Sequence, residues 1–436
     1  MNTEPTLFDL PEMNARPEPR SLPSETAPRL VCANRSQLLL RPTDLEATLA
    51  LDHQARTMWA FVNRLDVSKF IAPIRAREGE PGRCATDPRI LLTLWLYATS
   101  VGVGSAREVD RLCSEHDAYR WICGGVPMNY HSLSDFRVGH EKALDDLFTQ
   151  VLAVMMSQGL VKLSRVAQDG TRVRASAGAA SFRREPRLKE FLAKAKEQVE
   201  HVKRLAEDQT VTAREAAAQK RAAEERQKKI ERALKELPKA RAAKQSHNEK
   251  EEARVSTTDP EARVMKMGDG GFRPAYNLQF ATTTNEKVIV GVDVTNIGSD
   301  RSEMTPMLKQ VEERTGERPE EYLVDGGFVK LEAIEDAEKQ GTKVFAPERI
   351  KKGEEPTHQP KPGDTPEVGA WRERMGTEEA KKIYRERCAT AELVNADMKE
   401  HRGLKIRVRG MNKVLMVGLW SALTYNLLRW ATLTAT

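Results

Sequence analysis

Chemistry in this chain would start from acids set on apolar strands. In Tyr322-Leu323-Val324-Asp325-Gly326-Gly327-Phe328 three apolar or aromatic residues run into an aspartate, and two glycines follow. Such a short apolar run reads as a buried strand of a parallel or mixed sheet. The glycines let the backbone turn sharply and leave the carboxylate at the strand end, which in open α/β sheets faces the ligand crevice. Taken alone, the stretch is as easily a turn aspartate. A second acid, Asp169, lies near the middle of Val166-Ala167-Gln168-Asp169-Gly170-Thr171-Arg172-Val173-Arg174-Ala175, another strand-like run. If the two strands are neighbours, the carboxylates stand side by side and repel unless divalent cations lie between them. Two Mg²⁺ ions about 3.5–4 Å apart, with Mn²⁺ as a substitute, would activate a water or a 3′-hydroxyl and stabilise the leaving oxygen of a phosphodiester. A third acid on a later helix would complete the ligand set.

The elements that must position these acids differ along the chain. Residues 1–40 are rich in Pro, Glu, Arg and Ser and are expected to form a disordered arm. Ordered structure is expected from about Thr43-Asp44-Leu45-Glu46. Residues 41–160 then read as short helices punctuated by glycine. Asp87-Pro88 opens one carrying Ile90, Leu91, Leu94, Trp95 and Tyr97 and closing at Gly102 and Gly104; others open at Ser105 and Ser132, and Leu144 to Met156 continues helical. That series suits a helix-turn-helix-like DNA-binding bundle or a purely structural all-α domain.

From Ser164 the pattern turns to strands: the Asp169 run, then Tyr276–Thr282 and Val288–Val294. A helix over Ser302–Glu313, the strand ending at Asp325, a helix over Lys330–Lys339 and a short strand Lys343–Phe345 follow. A polar loop is expected over 351–370, with helices over Glu378 to about Glu400 and Val414–Leu428. The last is too short to span a bilayer and carries Ser421, Thr424 and Asn426, so a buried helix is expected. Three strands, helix, strand, helix, strand and final helix is the element order of a ribonuclease-H-like α/β fold with a mixed sheet. Its first and fourth strands are adjacent, which sets Asp169 beside Asp325. The catalytic domain would comprise 161–182 and 253–436. Residues 183–252 interrupt it with Leu188, Leu192, Ala195, Val199, Val202 and Ala206 at coiled-coil spacing. A capping box at Thr212-Ala213-Arg214-Glu215 then opens a second helix expected to end at Pro238. This reads as an inserted α-helical hairpin, and its excess of Lys and Arg over Asp and Glu equals the +6 of the whole 436-residue chain.

A net charge of +6 and a pI of about 8.9 suit a polyanionic partner. The five cysteines (32, 84, 113, 123, 388) form no CxxC pair, which disfavours a zinc site or a disulfide framework and fits a reducing cytoplasm. The chain opens on acids and prolines, unlike a signal peptide, and no membrane partner is expected.

The third acid is best placed at Glu392, in Tyr384-Arg385-Glu386-Arg387-Cys388-Ala389-Thr390-Ala391-Glu392, with Lys399 following; Glu386 is the competing acid and lacks the lysine spacing. Here the sequence resembles the DDE transposases of bacterial insertion sequences. The resemblance rests on Asp169-Gly170-Thr171, on Asp325-Gly326-Gly327 and on a segment close to the family's Tyr-x2-Arg-x3-Glu-x6-Lys. Tyr384, Arg387, Glu392 and Lys399 fill it with one extra residue between Arg387 and Glu392. The resemblance extends to Asp87-Pro88-Arg89 through Phe136-Arg137, similar to the N-terminal helical domain of such enzymes. It also takes in Thr257–Arg263, Tyr276-Asn277 and Asn296–Asp300, and spans about residues 40–430.

The resemblance implies a catalytic and metal-binding triad of Asp169, Asp325 and Glu392 with two Mg²⁺. It implies binding of double-stranded DNA, both the terminal inverted repeats and the target, by a homodimer on paired ends, with cleavage and transfer of 3′-hydroxyls. Tyr384, Arg387 and Lys399 are candidates for DNA contact, as are Arg402, Lys405 and Arg407 in the basic run 401–410. The rivals are a ribonuclease-H-like nuclease without strand transfer and a DNA-binding protein that has lost catalysis. Asp300 is read as a cap for the helix at Ser302, and Asp293 and His131 as structural.

Overall fold

The computed structural model describes residues 44–435 except 77–78, 80–82, 208–211, 245–250, 349–356 and 403. The expected N-terminal arm, and part of the expected polar loop, lie outside the described residues. From Leu45 on, the described residues form one compact unit.

Six strands make one mixed sheet: β1 (Arg165–Arg174), β4 (Arg263–Lys266), β5 (Phe272–Thr283), β6 (Ile289–Thr295), β7 (Glu321–Leu323) and β8 (Lys343–Phe345). Their order is β4-β5-β1-β7-β8, with β6 sharing the outer edge of β5. Strand β5 runs antiparallel to β1, pairing Asp169 with Phe280 and Gly170 with Gln279. Strand β7 runs parallel to β1, pairing Val166 with Tyr322 and Ala167 with Leu323, and β8 runs parallel to β7. This is the ribonuclease-H-like order expected from the sequence, with the first and fourth strands of the expected series as neighbours. Asp325 lies two residues beyond the end of β7.

Before the sheet the chain is helical: α1 (Gln54–Val62), α2 (Ser68–Ile71), α3 (Pro88–Ser100), α4 (Ala106–Glu115), α5 (Asp117–Cys123), α6 (Tyr130–Gly139) and α7 (Glu141–Ser157). Local chemistry fixes these starts. Asp87 accepts from the amide of Arg89, with Pro88 at the first helical position, and Asn129 accepts from the amides of His131 and Ser132.

Two long helices follow β1 and the short β2 (Phe182–Arg183): α8 (Glu185–Glu207) and α9 (Ala213–Ala242). Strand β2 pairs antiparallel with β3 (Val255–Ser256), so the chain leaves and returns side by side. Leu188, Ala195, Ile230, Ala233, Leu237 and Ala240 form a small core of their own, apart from the main one. Helix α9 does not stop at Pro238 as expected but continues to Ala242. Leu237 and Ala240, on either side of the proline, are both buried in that small core, and this packing outweighs the lost backbone hydrogen bond.

The sheet is sandwiched between helices. On one face lies α10 (Met304–Thr315), whose Met307 and Val311 press on Gly291. On the other lies α15 (Met411–Thr434), whose Gly418 approaches Leu278 and Val292. The exposed edge of β6 is closed by amide side chains, since Asn426 bonds both backbone groups of Ile289 and Gln310 both those of Val292. Helix α15 also faces the N-terminal helices: Trp420 Nε1 donates to the Arg137 carbonyl at 3.1 Å, and the Trp430 ring lies 4.4 Å from that of Phe61. The N-terminal helices and the sheet therefore share one hydrophobic core. No helix among the described residues is long and apolar enough to cross a membrane. The remaining helices, α11 (Leu331–Lys339), α12 (Pro366–Gly376), α13 (Glu378–Arg387) and α14 (Leu393–Glu400), follow β7 and β8 in the chain.

Candidate active site

Asp169 occupies the centre of β1, half-buried, with both carboxylate oxygens held. The amide of Gly170 donates to Oδ1 at 2.9 Å and Asn395 Nδ2 donates to Oδ2 at 3.0 Å. Burial raises its proton affinity. Arg387 opposes that effect and Asp325 adds to it, so its pKa is pushed up to about 6. The influence of Asp325 on Asp169 is what adjacency of β1 and β7 should give.

Two glycines have local reasons. At Gly170 a Cβ would stand 2.5 Å from Asp300 Oδ1 and 2.8 Å from Asn277 Oδ1, and closer still to Gln279 Nε2. The face of β1 opposite Asp169 carries a buried polar chain. Tyr322 OH donates to Gln168, Gln168 to Gln279, and Gln279 and Asn277 both to Asp300. Asp300 is thus not the side-chain cap expected for the helix near Ser302. Helix α10 begins at Met304 after Glu303, without a side-chain cap, because the Asp300 carboxylate is taken by amides from β5. At Gly327 the amide donates to Asp325 Oδ1 at 2.6 Å, and a Cβ there would lie 2.8 Å from the same oxygen. The tight turn after β7 is closed by the carboxylate it presents.

Helices α13 and α14 are joined by a π-helical turn, Cys388–Glu392. In an α-helix of 3.6 residues per turn, the fifth residue on points ~140° away. A π turn, bonding i to i+5, brings it back to the same side. The extra residue between Arg387 and Glu392 is absorbed in this way, and Arg387 Nη2 reaches Glu392 Oε1 at 3.0 Å. Arg387 Nη1 lies 3.9 Å from Asp169 Oδ1, and its Cζ 5.9 Å from the Tyr384 ring centroid. Burial works against the Arg387 charge, but Tyr384, Asp169 and Asp325 outweigh it and raise its pKa. Partial burial lowers the proton affinity of Lys399, against the pull of Asp169. Glu386 instead accepts from Arg165 Nη1 at 2.6 Å.

Asp169, Asp325, Tyr384, Arg387, Glu392 and Lys399 are thus linked by contact or by charge. The basic run stands in a separate segment. Arg402 donates to Asp397 at 2.7 Å, whereas Lys405 and Arg407 are exposed and alternate with buried Leu404 and Ile406. Among the described residues no three of His, Cys, Asp and Glu are grouped closely enough to hold a metal ion. Glu392, its side chain 55% exposed, is engaged by Arg387. The donor set nevertheless suits a hard divalent cation: the carboxylates of Asp169 and Asp325 are neighbours, and Asn395, whose amide N–H bonds Asp169, keeps a buried Oδ1 without a hydrogen-bond partner. Asn395 went unread in the sequence, although it lies three residues after Glu392 and four before Lys399 and so on their helix face.

Two family models match the chain. Residues 238–427 match the model of the transposase DDE domain, a span that includes Asp325 and Glu392 and begins after Asp169. Residues 43–139, the N-terminal helices, match a second model described as a transposase domain. No curated protein and no solved structure matches the chain. With both transposase models in chain order on a ribonuclease-H-like sheet, the chain belongs among the insertion-sequence DDE transposases.

Proposed function

We propose that the protein binds the terminal inverted repeats of its own insertion sequence, cuts the DNA at those ends and joins the freed 3′-hydroxyls to target DNA. The observation that carries this reading is the pairing of β1 with β7, which makes Asp169 and Asp325 neighbours, together with the helix bearing Arg387, Glu392 and Asn395 that reaches Asp169. Asp169, Asp325 and Glu392 would hold Mg²⁺. When bound, the metal supplies an activated hydroxyl and stabilises the leaving oxygen of an in-line phosphodiester displacement. Gly170 and Asn395 fix the Asp169 carboxylate, and Gly327 fixes that of Asp325. The fork of Arg387 and the ammonium of Lys399 offer charge to a DNA phosphate next to the acids, and Tyr384 supports Arg387. Lys405 and Arg407, exposed on their extended segment, extend the phosphate contact, with Arg402 held beside them by Asp397.

End recognition is assigned to residues 41–160, whose helix α6 exposes His131, Ser132, Ser134 and Asp135. The basic pair α8–α9, the inserted hairpin of 183–252, is assigned a supporting DNA contact. Assembly on paired ends is as a homodimer, in the cytoplasm.

The test is incubation of the full chain with Mg²⁺ and the DNA flanking its own gene, with products mapped at nucleotide resolution. Cuts at the repeat ends and joined products support the reading. Cuts without joining would point to the plain nuclease, and end binding without cuts to a protein that has lost catalysis.

A further inference from the structure

Asn395 is only 7% exposed and sits in the interior of α14, where asparagine is a poor helix former. Its Nδ2 donates to Asp169 Oδ2, while its Oδ1 is buried without a hydrogen-bond partner. A carboxylate only accepts, so it selects the NH₂ end of the amide and leaves the carbonyl end turned elsewhere. A buried acceptor without a partner costs about 1–3 kcal/mol and needs a reason to persist. Packing alone does not supply one, since an apolar side chain would occupy the place without that cost. The same carboxylate is gripped on Oδ1 by the Gly170 amide. Asp169 therefore cannot rotate, and each oxygen keeps a direction free for an outer ligand.

We propose that Asn395 is a positioning residue of the metal site: its amide N–H orients Asp169, and its carbonyl oxygen is the acceptor for the hydration shell of a divalent cation held by Asp169 and Asp325. The proposal rests on the metal-dependent reading above. It gives the helix after the π turn a face of Glu392, Asn395 and Lys399, of which only Asn395 bonds Asp169 directly. Outer-shell partners of this kind are typically worth about 10–100-fold in metal affinity.

The test is calorimetric titration of the full-length protein with Mn²⁺ alone, with urea unfolding alongside. Asn395→Leu is expected to stay folded and to bind Mn²⁺ at least about 10-fold more weakly. Asn395→Asp, which restores an oxygen acceptor but not the donor, is expected to bind at least as tightly as the wild type in Mn²⁺ and to be less stable without it. Wild-type Mn²⁺ affinity in Asn395→Leu would overturn the proposal, and so would Asn395→Asp binding as weakly as Asn395→Leu. If Leu prevents folding, the Asp variant decides alone. Asp325→Asn separates the two levels. If the wild type binds no Mn²⁺ and Asp325→Asn changes nothing, the metal-site reading itself has failed; if Asp325→Asn abolishes binding but Asn395→Leu does not alter it, only the role of Asn395 falls.

Discussion

Gly170→Ala is the most informative single change, because it probes the support of Asp169 without touching the carboxylate. The added methyl would lie 2.5 Å from Asp300 Oδ1 and 2.8 Å from Asn277 Oδ1, with Gln279 Nε2 closer still. Asp300 accepts from both Asn277 and Gln279 at 2.6 Å, and Gln168 and Tyr322 continue the chain. None of these groups can retreat alone. Either a buried hydrogen bond breaks, costing about 1–3 kcal/mol, or β1 shifts, and overpacking of this kind costs about 1–3 kcal/mol. Replacing a strand glycine by alanine returns about 0.5–1 kcal/mol of backbone entropy. The expected net loss is therefore about 0–2.5 kcal/mol, centred near 1, read from urea unfolding at constant m-value. Because Gly170 also donates to Asp169, Mn²⁺ affinity should fall with stability. A Gly170→Ala protein within about 0.5 kcal/mol of the wild type and with unchanged Mn²⁺ binding would refute the reasoning, since changes that touch nothing special stay within that range.

Gly327→Ala should behave differently, because the crowded atom is Asp325's own Oδ1 in a partly exposed turn. Stability should change by less than about 1 kcal/mol while Mn²⁺ affinity drops, both measured as for Gly170→Ala. Glu303 has its pKa raised from 4.5 to about 7 by burial and by Asp293 and Asp300. The folded state thus holds its proton more tightly than the unfolded state, and the contribution to stability present below pH ~4.5 is lost as pH rises through ~7. Glu303→Gln should therefore gain about 1–2 kcal/mol on the wild type between pH 5 and 8, allowing for solvent screening, in unfolding curves at each pH. Replacing 184–254 by a short Gly/Ser turn between β2 and β3 should leave a folded protein by circular dichroism. The α8–α9 core is separate, although Arg263 loses its ion pair with Glu236. The slope of log affinity against log salt for DNA should become shallower by ~0.9 per phosphate contact removed; an unchanged slope would make the pair a spacer.

Much of the sheet is legible because strand residues announce themselves locally. Lys343–Phe345 is bounded by a glycine turn before it and Pro347 after it, and the run into Asp325 is apolar until the acid. The ribonuclease-H-like order follows from the sequence of elements, and the pairing of β1 with β7 follows from that order. What escaped the sequence depends on partners distant in the chain. Asp300 looks like a helix cap until Asn277 and Gln279 arrive from β5 to claim it. Pro238 looks like a helix end until the packing of Leu237 and Ala240 is known. Helix α15 is apolar on every side, so its periodicity could not say that one face meets the sheet and another meets Phe61, Phe136 and Arg137. In the candidate site Asp169 and Asp325 stand out as acids on apolar strands, whereas Glu392, on a helical turn, is placed by its spacing from Tyr384, Arg387 and Lys399. The π turn showed only as one residue too many, and Asn395 showed not at all, because helical spacing says which residues share a face but not what that face meets.

The most direct measurement is strand joining in Mg²⁺ by the full-length protein and by Asp325→Asn, Glu392→Gln and Glu386→Gln, with end binding followed in parallel by mobility shift. If Asp169, Asp325 and Glu392 form the metal-dependent centre, Asp325→Asn and Glu392→Gln bind the ends but neither cut nor join. Glu386→Gln, whose wild-type carboxylate is paired with Arg165, keeps activity. An active Glu392→Gln beside an inactive Glu386→Gln would contradict that assignment.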